Sequence, residues 1–197
     1  MQLAPPHHAF LLDIAREAIH AALSDEPLGP LPDDPALQSP AGCFVSLHTL
    51  HTHHLRGCVG RLDADLPLAE VVRKMAVAVL DDPRFRDDPV TLGELGDLEI
   101  ELSIISPLSP AQNPEDFDPQ TQGIYLTCLN RTGCFLPQVA RETGWSKNEL
   151  LDRLCYEKLG LPPSAWRDPD ARLQTFTTTL VGPEPFLPAA DSSVPAH

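Results

Sequence analysis

The sequence predicts an α+β fold in which helices pack on antiparallel sheet. Three observations carry that prediction. Residues 98–104, LEIELSI, alternate strictly, with Leu98, Ile100, Leu102 and Ile104 on one face and Glu99, Glu101 and Ser103 on the other. That is the period of a strand with one buried and one wet face, the pattern of antiparallel sheet. Residues 8–23 and the stretch from 65 to 80 repeat their apolar residues at helical spacing instead. The chain also carries 22 prolines in 197 residues. Proline breaks helices and is excluded from central strands, so the elements must be many and short.

In chain order, Phe10, Leu11, Ile14, Ala15, Ala18, Ile19 and Ala22 form the apolar stripe of a helix over 8–23. Residues 25–40 hold Pro27, Pro30, Pro32, Pro35 and Pro40 and read as a loop lying over the surface. Residues 43–47 make a short strand. The polar link HTLHTHH (48–54) joins it to a second strand that carries LRGCVG, so the two form a hairpin. Asp65, Pro67 and Glu70 are helix-start residues. Val71, Val72, Met75, Ala76 and Val79 are the buried stripe of the helix they open. DDPRF (81–85) ends it, because the residue before a proline avoids helical angles.

After LEIELSI, residues 107–122 form a loop with four prolines. A strand is expected over 123–129 and a turn over 130–133. Residues 134–136 then start a partner strand or a helix. A short helix follows over 137–143. SKNE (146–149) is a capping box, opening a helix with Leu150, Leu151, Leu154, Cys155 and Leu159 inward and Gly160 as its stop. A turn at 164–166 and a last strand over 172–181 complete a domain spanning 8–182. A disordered proline-rich tail is expected over 183–197. The sequence holds no internal repeat.

Composition excludes several function classes. The formal net charge is −14, from 14 Lys and Arg against 28 Asp and Glu. Nucleic acids and anionic membranes are bound by basic groups, so neither is an expected partner. No stretch approaches the ~20 apolar residues of a membrane span. The opening residues lack the basic segment of a secretory leader. Five cysteines, an odd number, fit reduced thiols in a cytoplasm better than a disulfide framework.

The chemistry concentrates in Leu55, Arg56, Gly57, Cys58, Val59 and Gly60. Glycine serves where backbone turns or where another group comes close. An arginine beside a cysteine favours its thiolate, or holds a carboxylate or phosphate with its planar fork. The same residues also suit a tight strand with a small buried cysteine.

LRGCVG, DDPRF, LEIELSIISPL, GCFLPQVARETGW and LLDRLCYEKLGLPPSAW follow one another in this order. The series resembles the AMMECR-one domain family, whose bacterial and archaeal members are also called AmmeMemoRadiSam system protein A. The resemblance runs from about residue 10 to 181. Two features depart from it: the histidine-rich hairpin link, and the TLVGPEPF ending of the last strand. The resemblance implies two lobes. A larger one has an antiparallel sheet with helices and holds both termini. A smaller α+β lobe is inserted in the middle, with LRGCVG facing a cleft between them. It also implies a Memo-type and a radical-SAM protein as partners, and it supplies no reaction.

Two functions follow as expectations. One is an enzyme, or enzyme subunit, acting on a protein or small-molecule substrate, with Cys58 as nucleophile and Arg56 beside it as catalytic residues. The other is a non-catalytic adaptor for the Memo-type or radical-SAM partner. The cleft wall would comprise the LRGCVG residues with His48, an Asp82–Arg84 ion pair, Pro137 and Gln138. Neighbouring histidines on a strand point to opposite faces, and no C-x-x-C or H-E-x-x-H pattern occurs. No metal and no cofactor is therefore expected.

Overall fold

The computed structural model describes residues 3–187. They fall into two compact units, one comprising the chain up to Ile104 and again from Leu180, the other Ile105–Thr179. The architecture is mixed α+β with two antiparallel four-stranded sheets.

The first unit begins with α1 (Pro5–Ser24), three residues before the expected start at 8. Proline is tolerated in a first helical turn, where the missing N–H has no partner to lose. Asp25, at φ 55°, ends the helix. Strands β1 (Gly42–Thr49) and β2 (Leu55–Arg61) form the expected hairpin. Helix α2 (Leu68–Ala78) follows and runs into 3-10 turns over Val79–Asp81 and Pro83–Phe85. Strand β3 (Leu98–Ile105) and the final strand β8 (Thr178–Pro185) complete a sheet ordered β2-β1-β3-β8. Its core face supplies Cys43, Val45, Leu47, Leu98, Ile100 and Leu102, all fully buried beneath α1 and α2.

Strand β3 departs from expectation on its second face. Glu99 and Ser103 are 7% and 2% exposed, so that face is not wet. The Glu99 carboxylate is held by His53 Nδ1 from the hairpin link.

The second unit holds β4 (Ser109–Pro110), β5 (Gly123–Cys128), β6 (Arg131–Phe135) and β7 (Arg172–Phe176), ordered β4-β7-β5-β6. Helices α3 (Pro137–Thr143) and α4 (Lys147–Arg153) accompany the sheet. The Ser146–Glu149 capping box forms as read, with both reciprocal bonds present. The helix beyond it becomes a π-helical segment over Leu154–Leu159 and stops at Gly160, φ 61°.

Three boundaries differ. The β5–β6 turn is confined to Leu129 and Asn130, both at positive φ (49° and 58°), the geometry of a tight two-residue hairpin. Residues 131–133 are therefore strand. Cys134 then stands opposite Tyr125 while Cys128 stands opposite Arg131, so side-chain alternation puts the two thiols on different faces. The single strand expected over 172–181 is two: β7 pairs with β4 and β5, and β8 lies beside β3 in the other sheet. Past the expected boundary at 182, β8 runs to Pro185 and Phe186 is buried, its N–H donating to Leu98 O. The rest of the expected tail, from 188, lies outside the described residues.

Candidate functional site around the LRGCVG strand

Strand β2 lies at the edge of its sheet. Its ladder with β1 slips once: Leu47 faces Gly57, but His48 faces Leu55. Arg56 is the extra residue of that bulge. A bulge re-aims a side chain, and this one delivers Arg56 to a carboxylate pair. Its Nε donates to Glu94 Oε1 at 2.6 Å and its Nη2 to Glu94 Oε2 at 3.1 Å. Nη1 reaches Asp88 Oδ2 at 3.1 Å and Nη2 also reaches the Asp88 carbonyl. The guanidinium lies 5.6 Å from the centre of the Phe85 ring, and the side chain is only 13% exposed. The Glu94 hydrogen bonds raise its pKa further above the ordinary arginine value. The arginine two residues before Cys58 in sequence is thus a packing and pairing residue in space.

Cys58 stands opposite Ser46. Its backbone meets the 3-10 turn of DDPRF. Asp82 Oδ2 accepts the Cys58 N–H at 2.9 Å, and Arg84 Nη2 donates to the Cys58 carbonyl at 3.2 Å. Asp82 and Arg84 are joined by a bidentate pair, Nε to Oδ1 at 3.0 Å and Nη2 to Oδ2 at 2.6 Å. Asp82 Oδ1 also caps the Arg84 N–H at 3.1 Å. Together, carboxylate and guanidinium satisfy at Cys58 the donor and acceptor that a neighbouring strand would satisfy, which is one way to close a sheet edge. Asp82 is 3% exposed while the Arg84 side chain is 54% exposed. The Arg84 hydrogen bonds hold the Asp82 carboxyl down at about 2, below the usual carboxylate range.

The Cys58 thiol shows competing influences. Burial is the largest and pushes its pKa up. A hydrogen bond with Ser46 and the charge of Arg84 pull it down, and Asp82 and Glu101 push it up again. The net direction is upward, so the resting group is the thiol. The cation nearest in effect is Arg84, not Arg56.

Both motif glycines mark close approaches. A Cβ on Gly57 would sit 2.9 Å from the Val79 carbonyl oxygen, and one on Gly60 would collide with Cγ of Phe44, its cross-strand neighbour.

The structure brings Arg56, Cys58, Asp82 and Arg84 together, with Leu55, Gly57, Val59 and Gly60 as the strand that carries them. His48 is half-buried on β1. Pro137 and Gln138 belong to the second unit, in the first turn of α3. Among the described residues, no group of three His, Cys, Asp or Glu is placed to hold a metal ion, and no helix is long and apolar enough to cross a membrane. Sequence reasoning missed Ser46, Asp88, Glu94 and Glu101. The hairpin register points to Ser46, but nothing local marks the carboxylates that Arg56 reaches.

The family model AMMECR1 matches residues 12–181. A protein of Thermococcus gammatolerans is 35% identical over 182 residues, covering 87% of each chain. Protein TV1384 of Thermoplasma volcanium is 34% identical over 175 residues, 86% of each. Among solved structures, the uncharacterised protein PH0010 of Pyrococcus horikoshii superposes with a TM-score of 0.80 at 34% identity, over 87% of this chain and 88% of that one.

Proposed function

The chain belongs to the AMMECR1 family, and from that premise we propose that it is a non-catalytic interaction module for a Memo-type or radical-SAM protein, with the LRGCVG strand as its scaffold. One observation supports this most directly: the polar groups of the motif are committed within the first unit. Arg56 is taken up by Glu94 and Asp88. The Cys58 backbone is clamped by Asp82 and Arg84, and burial keeps its thiol protonated. A nucleophilic thiol needs the opposite setting, a thiolate in an electropositive and accessible place.

The test uses a purified Memo-type protein and isothermal titration. Cys58→Ser is expected to bind it as the wild type does, since the serine keeps the fold and removes only thiol chemistry. In parallel, iodoacetamide is expected to label native Cys58 more slowly than free cysteine at pH 7. Labelling faster than free cysteine would reverse the assignment.

A second reading keeps Cys58 as a nucleophile, supported by the Ser46 hydrogen bond and the Arg84 charge, both of which favour the thiolate. In that reading Arg84 takes the role that sequence proximity suggested for Arg56.

A further inference from the structure

The proline-rich segment after α1 serves none of the roles above. From residue 26 to 34 the chain forms no helix, strand or turn, yet it is tied down: the Glu26 N–H donates to Ala21 O at 2.9 Å and the Gly29 N–H to Glu17 Oε1 at 3.1 Å. Its conformational freedom is small. Pro27, Pro30 and Pro32 have fixed φ. Glu26, Gly29 and Leu31 each precede a proline, which drives them to extended angles. Between 26 and 32 only Leu28 escapes both constraints. The favoured state is polyproline II, with three residues per turn and no internal hydrogen bonds. That period places Pro27 and Pro30 on one edge, and both are exposed. Leu28 and Leu31 share the next edge, which leans toward the core: Leu28 is 43% exposed and Leu31, one turn on, packs against the core of the first unit. Carboxylates flank the apolar edge on both sides: Asp25 and Glu26 before it, Asp33 and Asp34 after it.

We infer that this edge is a docking ligand for a proline-recognition groove on a partner protein, lined by aromatic rings and rimmed by Lys or Arg. Such grooves take polyproline II because it is already ordered, so little entropy is lost on binding. The flanking acids select a basic rim and make docking salt-sensitive. The inference is independent of the LRGCVG site and of the partner proposed for it.

A nitrogen-labelled EVH1 domain serves as the probe, followed at the indole N–H of its groove tryptophan while the full chain is titrated in. A saturable shift with a midpoint below about 1 mM is expected, weakening at least fivefold when salt is raised from roughly 0.05 to 0.5 M. The double variant Pro27→Ala, Pro30→Ala should lose the shift while its circular dichroism spectrum and melt match the wild type. No saturable shift up to about 1 mM, or equal binding by the double variant, overturns the inference. Equal binding would place the contact elsewhere on the chain.

Discussion

Replacing Asp82 by asparagine keeps the size of the side chain and removes its charge. The carboxylate accepts from Cys58 and Arg84 backbone N–H groups and from two guanidinium nitrogens, at 3% exposure. Its carboxyl group titrates at about 2 in the fold against an ordinary 3.8. At ~1.36 kcal/mol per unit, that difference corresponds to roughly 2 kcal/mol. Because the folded pKa is depressed, the contribution is complete above about pH 4 and is lost as pH falls toward 2. At neutral pH, Asp82→Asn is therefore expected to lower stability by about 2 kcal/mol. For a chain of this length that is a drop of about 4–8 °C in melting temperature. Half-exposed Arg84 regains water in the variant, which keeps the loss below the ~3–5 kcal/mol of a fully buried broken pair. Urea melts of wild type and variant between pH 7 and pH 2 provide the assay. The gap should be widest above pH 4 and close as the wild type is acidified. Equal stability at pH 7, or a gap that persists unchanged at pH 2, would refute the assignment of Asp82 as an ionised clamp.

The remaining predictions concern the rest of the motif. Arg56→Ala should cost about 1–3 kcal/mol, because Glu94 loses a bidentate partner while Asp88 stays hydrated; a melt within about 1 °C of wild type would return Arg56 to the role of an open ligand group. Gly57→Val and Gly60→Val should each cost at least ~1–3 kcal/mol through collision with Val79 and Phe44, measured by denaturant titration, and wild-type midpoints would show that these approaches relax freely. Glu101→Gln should speed iodoacetamide labelling of Cys58 at pH 8, since it removes a charge that raises the thiol pKa; an unchanged or slower rate would mean that Glu101 does not act on the thiol.

What was legible in the sequence was local. The stripe of α1, the alternation of β3 and the Ser146 capping box are each written within a few residues, and each appears in the fold. The Asp82–Arg84 pair was legible for the same reason, being two positions apart. What failed needed knowledge of distant chain. Glu99 and Ser103 read as a wet face because alternation reports polarity and not what lies over it. Residues 172–181 read as one strand because apolar and polar residues continue through Thr177, although the partners on its two sides belong to different sheets.

The same limit explains the reassignment within the site. Arg56 stands two positions before Cys58, where regular alternation would put both side chains on one face and suggests a cation at a thiol, but the bulge at Arg56 breaks that alternation and turns it toward Glu94 and Asp88, 38 and 32 positions away. The arginine that acts on the thiol arrives from DDPRF, 26 positions on, together with the carboxylate that holds it. LRGCVG and DDPRF are therefore two halves of one structure. The first supplies an edge strand whose Gly57 lets the turn after α2 approach at Val79. The second supplies the charged pair that replaces a missing strand. Loosening either half exposes the Cys58 backbone. Native hydrogen exchange at the Cys58 amide is expected to be slow in wild type despite its place on an edge strand, because Asp82 accepts its N–H, and to accelerate at least tenfold in Asp82→Asn and in Gly57→Val alike. Acceleration in only one of them would separate the halves.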